Sequence, residues 1–234
     1  MRRVNKQRTS NLIIIGIVSF IALVVVALLA LSNRPTTSDS DHLELIASLP
    51  QGTTADGLPF LGLEDAPVTM LLYEDLGCPN CRNFYQTVEP LVIAEFVATD
   101  KVKLIVYTLA IINTNSLPGA EGVACARDQG RFWEYRDTLY NNQGVNPFNR
   151  NNLVGFADDL GLDAGAFAEC FDFSVHTQDV IEGSQQAFEF GINATPTFFI
   201  NNQRFQGVKP YDRDDPADPG VKQILEKAYT DATQ

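Results

Sequence analysis

Cys78-Pro79-Asn80-Cys81 constrains this chain more than any other stretch. Two cysteines separated by two residues can close a small, reversible disulfide ring if the backbone brings them together. Before them, Val68 to Tyr73 (VTMLLY) is continuously apolar and β-prone. After them, Phe84, Val88, Leu91, Val92, Phe96 and Val97 recur near helical spacing through Arg82 to Ala98. The pattern predicts strand, short loop and helix, with the cysteines at the helix N-terminus. Pro79 suits the first helical position, where a missing N–H costs nothing. Unpaired N–H groups and the helix dipole favour an anion at Cys78, so its thiol is expected to ionise well below the free value of roughly 8.5. The thiolate is the species that attacks disulfides.

A CxxC pair is also half of a tetrahedral zinc site, which needs two further ligands. Cys125 and Cys170 stand alone in the sequence, and His42 and His176 pair with nothing obvious. No metal ligand and no cofactor is therefore expected, and the pair reads as redox-active. Cys125 and Cys170 are expected to form a structural disulfide pinning two helices, with a second exchange-active pair as the rival reading.

Net charge is −12; the first 34 residues hold five basic residues and no acid, leaving −17 for the remainder. So acidic a body argues against nucleic acid as a partner. Residues 1–11 read as a basic cytoplasmic N-terminus. Leu12 to Leu31 is an apolar run of 20 residues. At about 1.5 Å per residue it matches a hydrocarbon core of roughly 30 Å. The expectation is an uncleaved, single-pass anchor holding the rest of the chain outside the cytoplasm, with a cleaved signal peptide as the rival. Residues 32–57 read as a tether, rich at first in Pro, Ser, Thr and Asp, with a short helix or arm at His42 to Leu49.

Lys101 to Leu109 is a second strong strand, so strand, helix and strand make a right-handed βαβ unit. Helical patterns follow over Gly119–Asp128, Arg131–Asn141, Asn149–Leu160, Ala164–Phe171 and Ser174–Phe190. In the last, Val175, Val180, Ile181, Ala187, Phe188 and Phe190 form a partial apolar stripe. Pro196 to Ile200 is a strand, Asn201-Asn202 a hairpin turn, and Val221 to Thr230 a closing helix. Phe132, Trp133, Tyr135 and Tyr140 read as core rather than as a peptide-binding patch. Asp212 to Asp218 reads as a solvated turn rather than a calcium loop.

Taken together, strand-CPNC-helix-strand, a helical insertion, then ATPTFFIN (Ala194 to Asn201), about 115 residues beyond the CxxC, resembles an α/β thioredoxin fold. The insertion and CARDQGRFWEYRDTLY (Cys125 to Tyr140) make the chain similar to DsbA-like thiol:disulfide oxidoreductases, especially membrane-anchored ones of the BdbD type. The likeness spans about Leu58 to Tyr229, within a domain at 58–234 whose insertion covers about 115–190.

The resemblance implies that Cys78 is the nucleophile and Cys81 the buried resolving cysteine. Pro79 and Asn80 would tune the redox potential. Pro196 would be a cis-proline facing the CxxC, with the Thr195 backbone left to pair with an extended substrate. Reduced or unfolded exported proteins would be the substrates, and a DsbB- or VKOR-like membrane protein the re-oxidant. A reductase, an isomerase or a copper metallochaperone of the same fold is the alternative. Two positions depart from the family pattern. Strong oxidants often carry histidine where this chain has Asn80, so a weaker oxidant is expected. The buried acid common six residues before the first cysteine is replaced by Leu72, with Glu74 and Asp75 nearby.

Overall fold

The computed structural model describes residues 39–234. The run Leu12 to Leu31 lies outside the described residues. Among the described residues, no helix is long and apolar enough to cross a membrane.

Helix α1 (Asp39–Ser48) leads into β1 (Gln51–Thr53), β2 (Pro59–Leu61) and β3 (Val68–Asp75). Then come α2 (Pro79–Thr87), α3 (Glu89–Val92), a π-helical turn (Ile93–Val97) and β4 (Val102–Leu109). Five helices follow: α4 (Ser116–Asp128), α5 (Phe132–Asn142), α6 (Arg150–Asp159), α7 (Ala164–Asp172) and α8 (Thr177–Glu189). Strands β5 (Thr197–Ile200) and β6 (Gln203–Gln206) and helix α9 (Val221–Thr233) complete the fold.

The six strands form one sheet in the order β1-β2-β4-β3-β5-β6. β3 and β4 are parallel, in register from Val68–Val102 to Asp75–Leu109. β5 lies antiparallel on the other side of β3. This is the α/β sheet with inserted helices that the residue pattern implies. It places the C-terminal end of β3, and hence the CxxC, beside the N-terminal end of β5, where Pro196 stands. β1 falls inside the stretch read as tether. Gln-Gly-Thr carries no alternating apolar signal, and the strand exists through backbone pairing with β2.

The single helix expected after the CxxC is interrupted. Val88 ends α2 and Pro90 stands in the first turn of α3, where its missing N–H is tolerated but a continuing α-helix is not. Apolar spacing runs on through the break, so Val88, Val92, Phe96 and Val97 are still buried, whereas Leu91 is exposed.

Phe132, Trp133, Tyr135 and Tyr140 are buried, as core residues. Asp212 to Asp218 is an exposed turn; Asp218 pairs with Lys209 and Arg213, and Asp212 with Gln223. The α8 stripe departs from expectation. Ala187 is buried, but Phe188 and Phe190 are 65 % and 80 % exposed and Val175 and Ile181 are also open. Helical spacing says which residues share a face, not what covers that face.

Cys125 on α4 and Cys170 on α7 are joined as a disulfide across 45 residues. Closing a loop of that length removes conformations from the unfolded chain. Serine at both positions is expected to lower stability by about 3–4 kcal/mol. Urea unfolding of the double variant beside its parent measures this; an unchanged midpoint would show that the cross-link contributes nothing.

Candidate active site

The site is built where β3 ends and α2 begins. Cys78 is the N-cap of α2, with extended backbone, and Pro79 is the first helical residue. The chain between strand and helix is held from three directions. The Asp75 carboxylate accepts the Gly77 N–H at 2.7 Å and the Ile111 and Ile112 N–H groups at 2.7 and 3.0 Å. Asn113 Nδ2 donates to the Gly77 carbonyl at 2.6 Å. Gln143 Nε2, at the end of α5, donates to the carbonyls of Leu76 and Cys78 at 2.6 and 3.1 Å. Gly77 is required by this crowding, since a Cβ there would sit 2.5 Å from Asn113 Oδ1 and 2.7 Å from Ser116 Oγ. Asn113, Gln143 and the Asp75 clamp were not singled out from sequence, because they converge from loops far apart in the chain.

Cys78 and Cys81 both carry free thiols. They are 4 % and 2 % exposed, while Pro79 and Asn80 between them are exposed. The Thr195–Pro196 bond is cis, and the Thr195 carbonyl accepts the Cys78 thiol at 3.3 Å. That carbonyl is therefore engaged by the cysteine rather than free, as the sequence reading had it.

The two thiols are driven apart in acidity. A hydrogen bond from the Cys81 thiol brings Cys78 down to about 6. Burial opposes this, and the Thr195 hydroxyl and the backbone N–H groups of Cys81 and Asn80 reinforce it. The last two are the open amides of the helix N-terminus, as the motif predicts. Asn80 thus acts on Cys78 through its main chain. The Thr195 hydroxyl is buried and faces both thiols, Cys81 as well as Cys78. Burial pushes the Cys81 thiol well above its ordinary value, and the neighbouring Cys78 adds to the rise.

Beneath the motif, Leu72 is plain core, and neither nearby acid bonds to Cys81 through its carboxylate. Glu74 is bound to Arg136 at 2.6 and 2.8 Å and accepts the Tyr140 hydroxyl at 2.8 Å. Glu89 holds the other side of the same guanidinium at 2.6 and 2.7 Å. Burial raises the Glu74 carboxyl, Arg136 counteracting in part. Asp75 meets Cys81 only through its main-chain N–H.

His176 occupies the N-cap position of α8. Its side chain is largely buried, it makes no capping bond to α8, and its Nε2 lies 2.6 Å from Asp128 Oδ2. It stands beside Cys125 and Cys170, a neighbourhood that linear spacing hides.

Residues 54–215 match the family described as Thioredoxin. The chain belongs to the thioredoxin family. It is 32 % identical to a probable disulfide bond formation protein D of Bacillus anthracis over 165 residues, covering 64 % of this chain and 74 % of that one. A probable disulfide bond formation protein D of Bacillus cereus is 28 % identical over 220 residues, covering 87 % and 96 %. The fold is similar to the crystal structure of oxidised BdbD from Bacillus subtilis. Its TM-score is 0.65 at 22 % identity, covering 78 % of this chain and 98 % of that one. The chain also spans 22 % of the length of a sodium/proton antiporter of Salinispora arenicola, at 30 % identity over 148 residues.

Proposed function

We propose that this chain is an extracytoplasmic thiol:disulfide oxidoreductase that introduces disulfides into reduced exported polypeptides through Cys78 and Cys81. The observation that carries the reading is the split in acidity between the two thiols at the start of α2, Cys78 low and Cys81 high. Similarity to disulfide bond formation proteins supports it.

In the oxidised protein a substrate thiolate attacks Cys78 Sγ. The Cys78–Cys81 bond breaks, and Cys81 leaves and takes a proton, as its raised thiol favours. A second substrate thiolate attacks the substrate sulfur of the mixed disulfide. Cys78 then leaves as a thiolate, received by the Cys81 thiol and the amides at the helix start. The substrate is oxidised by two electrons and the chain reduced by two. Thr195 and Pro196 form the wall against which an extended substrate lies, and its backbone competes with Cys78 for the Thr195 carbonyl. Return to the disulfide is assigned to a quinone-linked membrane partner of the DsbB or VKOR kind. An N-terminal anchor at Leu12 to Leu31 would keep the two in one membrane.

A stabilised thiolate favours the reduced form, which is what makes a disulfide oxidising. That sets the oxidase reading above a reductase or isomerase of the same fold. Equilibration in glutathione buffers is expected to give a reduction potential of about −120 to −180 mV, with reduced, unfolded substrate oxidised stoichiometrically. Cys78→Ser should abolish the reaction. A potential near about −270 mV would make the chain a reductase instead.

A further inference from the structure

The second cysteine pair has neighbours that a cross-link alone does not require. Cys125 on α4 and Cys170 on α7 meet His176 at the start of α8. The two sulfurs and an imidazole nitrogen lie within 4.8 Å of one another. The turn that achieves this is tight: the Val175 N–H returns to the Cys170 carbonyl at 3.1 Å, and Ser174 takes a left-handed φ of 54°. Asp128, one helical turn after Cys125, holds His176 Nε2 at 2.6 Å. With one imidazole nitrogen bound to a carboxylate, the other keeps the lone pair that a metal uses. Carboxylate behind histidine is the usual outer arrangement at a zinc ligand.

We propose that, before Cys125 and Cys170 are joined, their thiolates and His176 bind a Zn2+ ion, and that forming the disulfide expels it. Two sulfurs and one imidazole are a zinc donor set, with water left for the fourth position. Two thiolates and a neutral histidine around a dication carry no net charge, which suits a partly buried place. A cavity lined by His176, Asp128, Asp56 and Asp179 gives the cation an acidic approach, with Arg127 as the opposing charge on its wall.

Loading releases two protons from the two thiols. Emptying consumes a disulfide: the two bound thiolates lose two electrons and become Cys125–Cys170. The incoming disulfide takes those electrons and two protons to give two thiols, and Zn2+ leaves. A newly made chain starts with its thiols reduced, so loading needs no added reductant. The site is distinct from the exchange pair and does not rest on the function proposed for it.

The full-length chain carrying Cys78→Ser and Cys81→Ser leaves one cysteine pair. It should be reduced with a phosphine and titrated with Zn2+ against a chromophoric chelator, with circular dichroism confirming the native fold. One Zn2+ per chain is expected in the reduced form and none after oxidation by glutathione disulfide. Co2+ in its place should give a thiolate-to-metal absorption band. Asp128→Asn is expected to weaken Zn2+ by about 10–100-fold, and His176→Ala by at least as much. Equal binding by reduced and oxidised protein would overturn the proposal. So would unchanged affinity in both variants, since dithiol binding without the histidine is not this site.

Discussion

Replacing Arg136 with leucine is expected to destabilise the protein by about 3–5 kcal/mol, the cost of leaving buried charge without its partner. Arg136 is 2 % exposed, and its guanidinium is shared by Glu74 and Glu89 through four hydrogen bonds of 2.6–2.8 Å. The rings of Tyr140, Tyr85 and Trp133 surround it, at 5.1, 5.8 and 5.7 Å. Leucine fills much of the space but leaves two carboxylates facing each other in the core. Glu74, raised by burial even with Arg136 beside it, would then ionise only at still higher pH in the folded variant. A carboxyl whose folded value is raised costs nothing below its unfolded value of about 4.3 and costs more as pH climbs above it. The deficit should therefore be largest near neutrality and shrink as pH falls toward 4. Adding Glu74→Gln and Glu89→Gln to Arg136→Leu should recover most of the loss, because the unpaired charge rather than the missing contact causes it. Denaturant unfolding of parent, single and triple variants measures this. A single-variant loss under about 1 kcal/mol, or no recovery in the triple, would mean that these charges are not interdependent.

That cluster also marks where sequence reasoning reaches its limit. β3, α2 and β4 were legible because their signals are local: an apolar run, Pro79 at a helix start, a second apolar run. Cys78, Cys81 and Pro196 stood out because so few residue types suit those positions. Glu74, Glu89 and Arg136 come from three separate elements, and nothing in their spacing says that one cation will serve two acids. Gln143 and Asn113 clamp the CxxC loop from equally remote segments. Pro90 broke a helix that the apolar periodicity carried straight through, since periodicity records which face is buried and not whether the backbone is continuous. The same limit explains α8, where Phe188 and the C-cap residue Phe190 fit an apolar stripe in sequence yet stand exposed in the fold. His176 looked solitary until the turn at Ser174 brought it back to Cys170.

The pH dependence of the exchange pair is expected to break near pH 6. Cys78 ionises at about 6 in the folded dithiol and at about 8.5 in an unfolded chain. Below about 6 its thiol is protonated in both states and contributes no stability. Between the two values only the folded protein is ionised, so each pH unit adds about 1.4 kcal/mol to the reduced form. Above about 8.5 the gain is complete; as pH falls back through 6 it is lost. Cys81, pushed upward by burial, stays protonated throughout this window and does not blur it. Reduction of the disulfide therefore takes up two protons below about pH 6 but only one above it. The potential should fall by about 60 mV per pH unit on the acid side and about 30 mV on the other, since a tenfold change in equilibrium corresponds to about 30 mV for two electrons. Alkylation of Cys78 by iodoacetamide should rise through the same point, and Cys81→Ala, which removes the leading donor to the thiolate, should move the break upward. An unbroken slope of about 60 mV to pH 8 would place the thiol at its ordinary value. In that case the reduced form would have no advantage at neutral pH, and the case for oxidation over reduction would go with it.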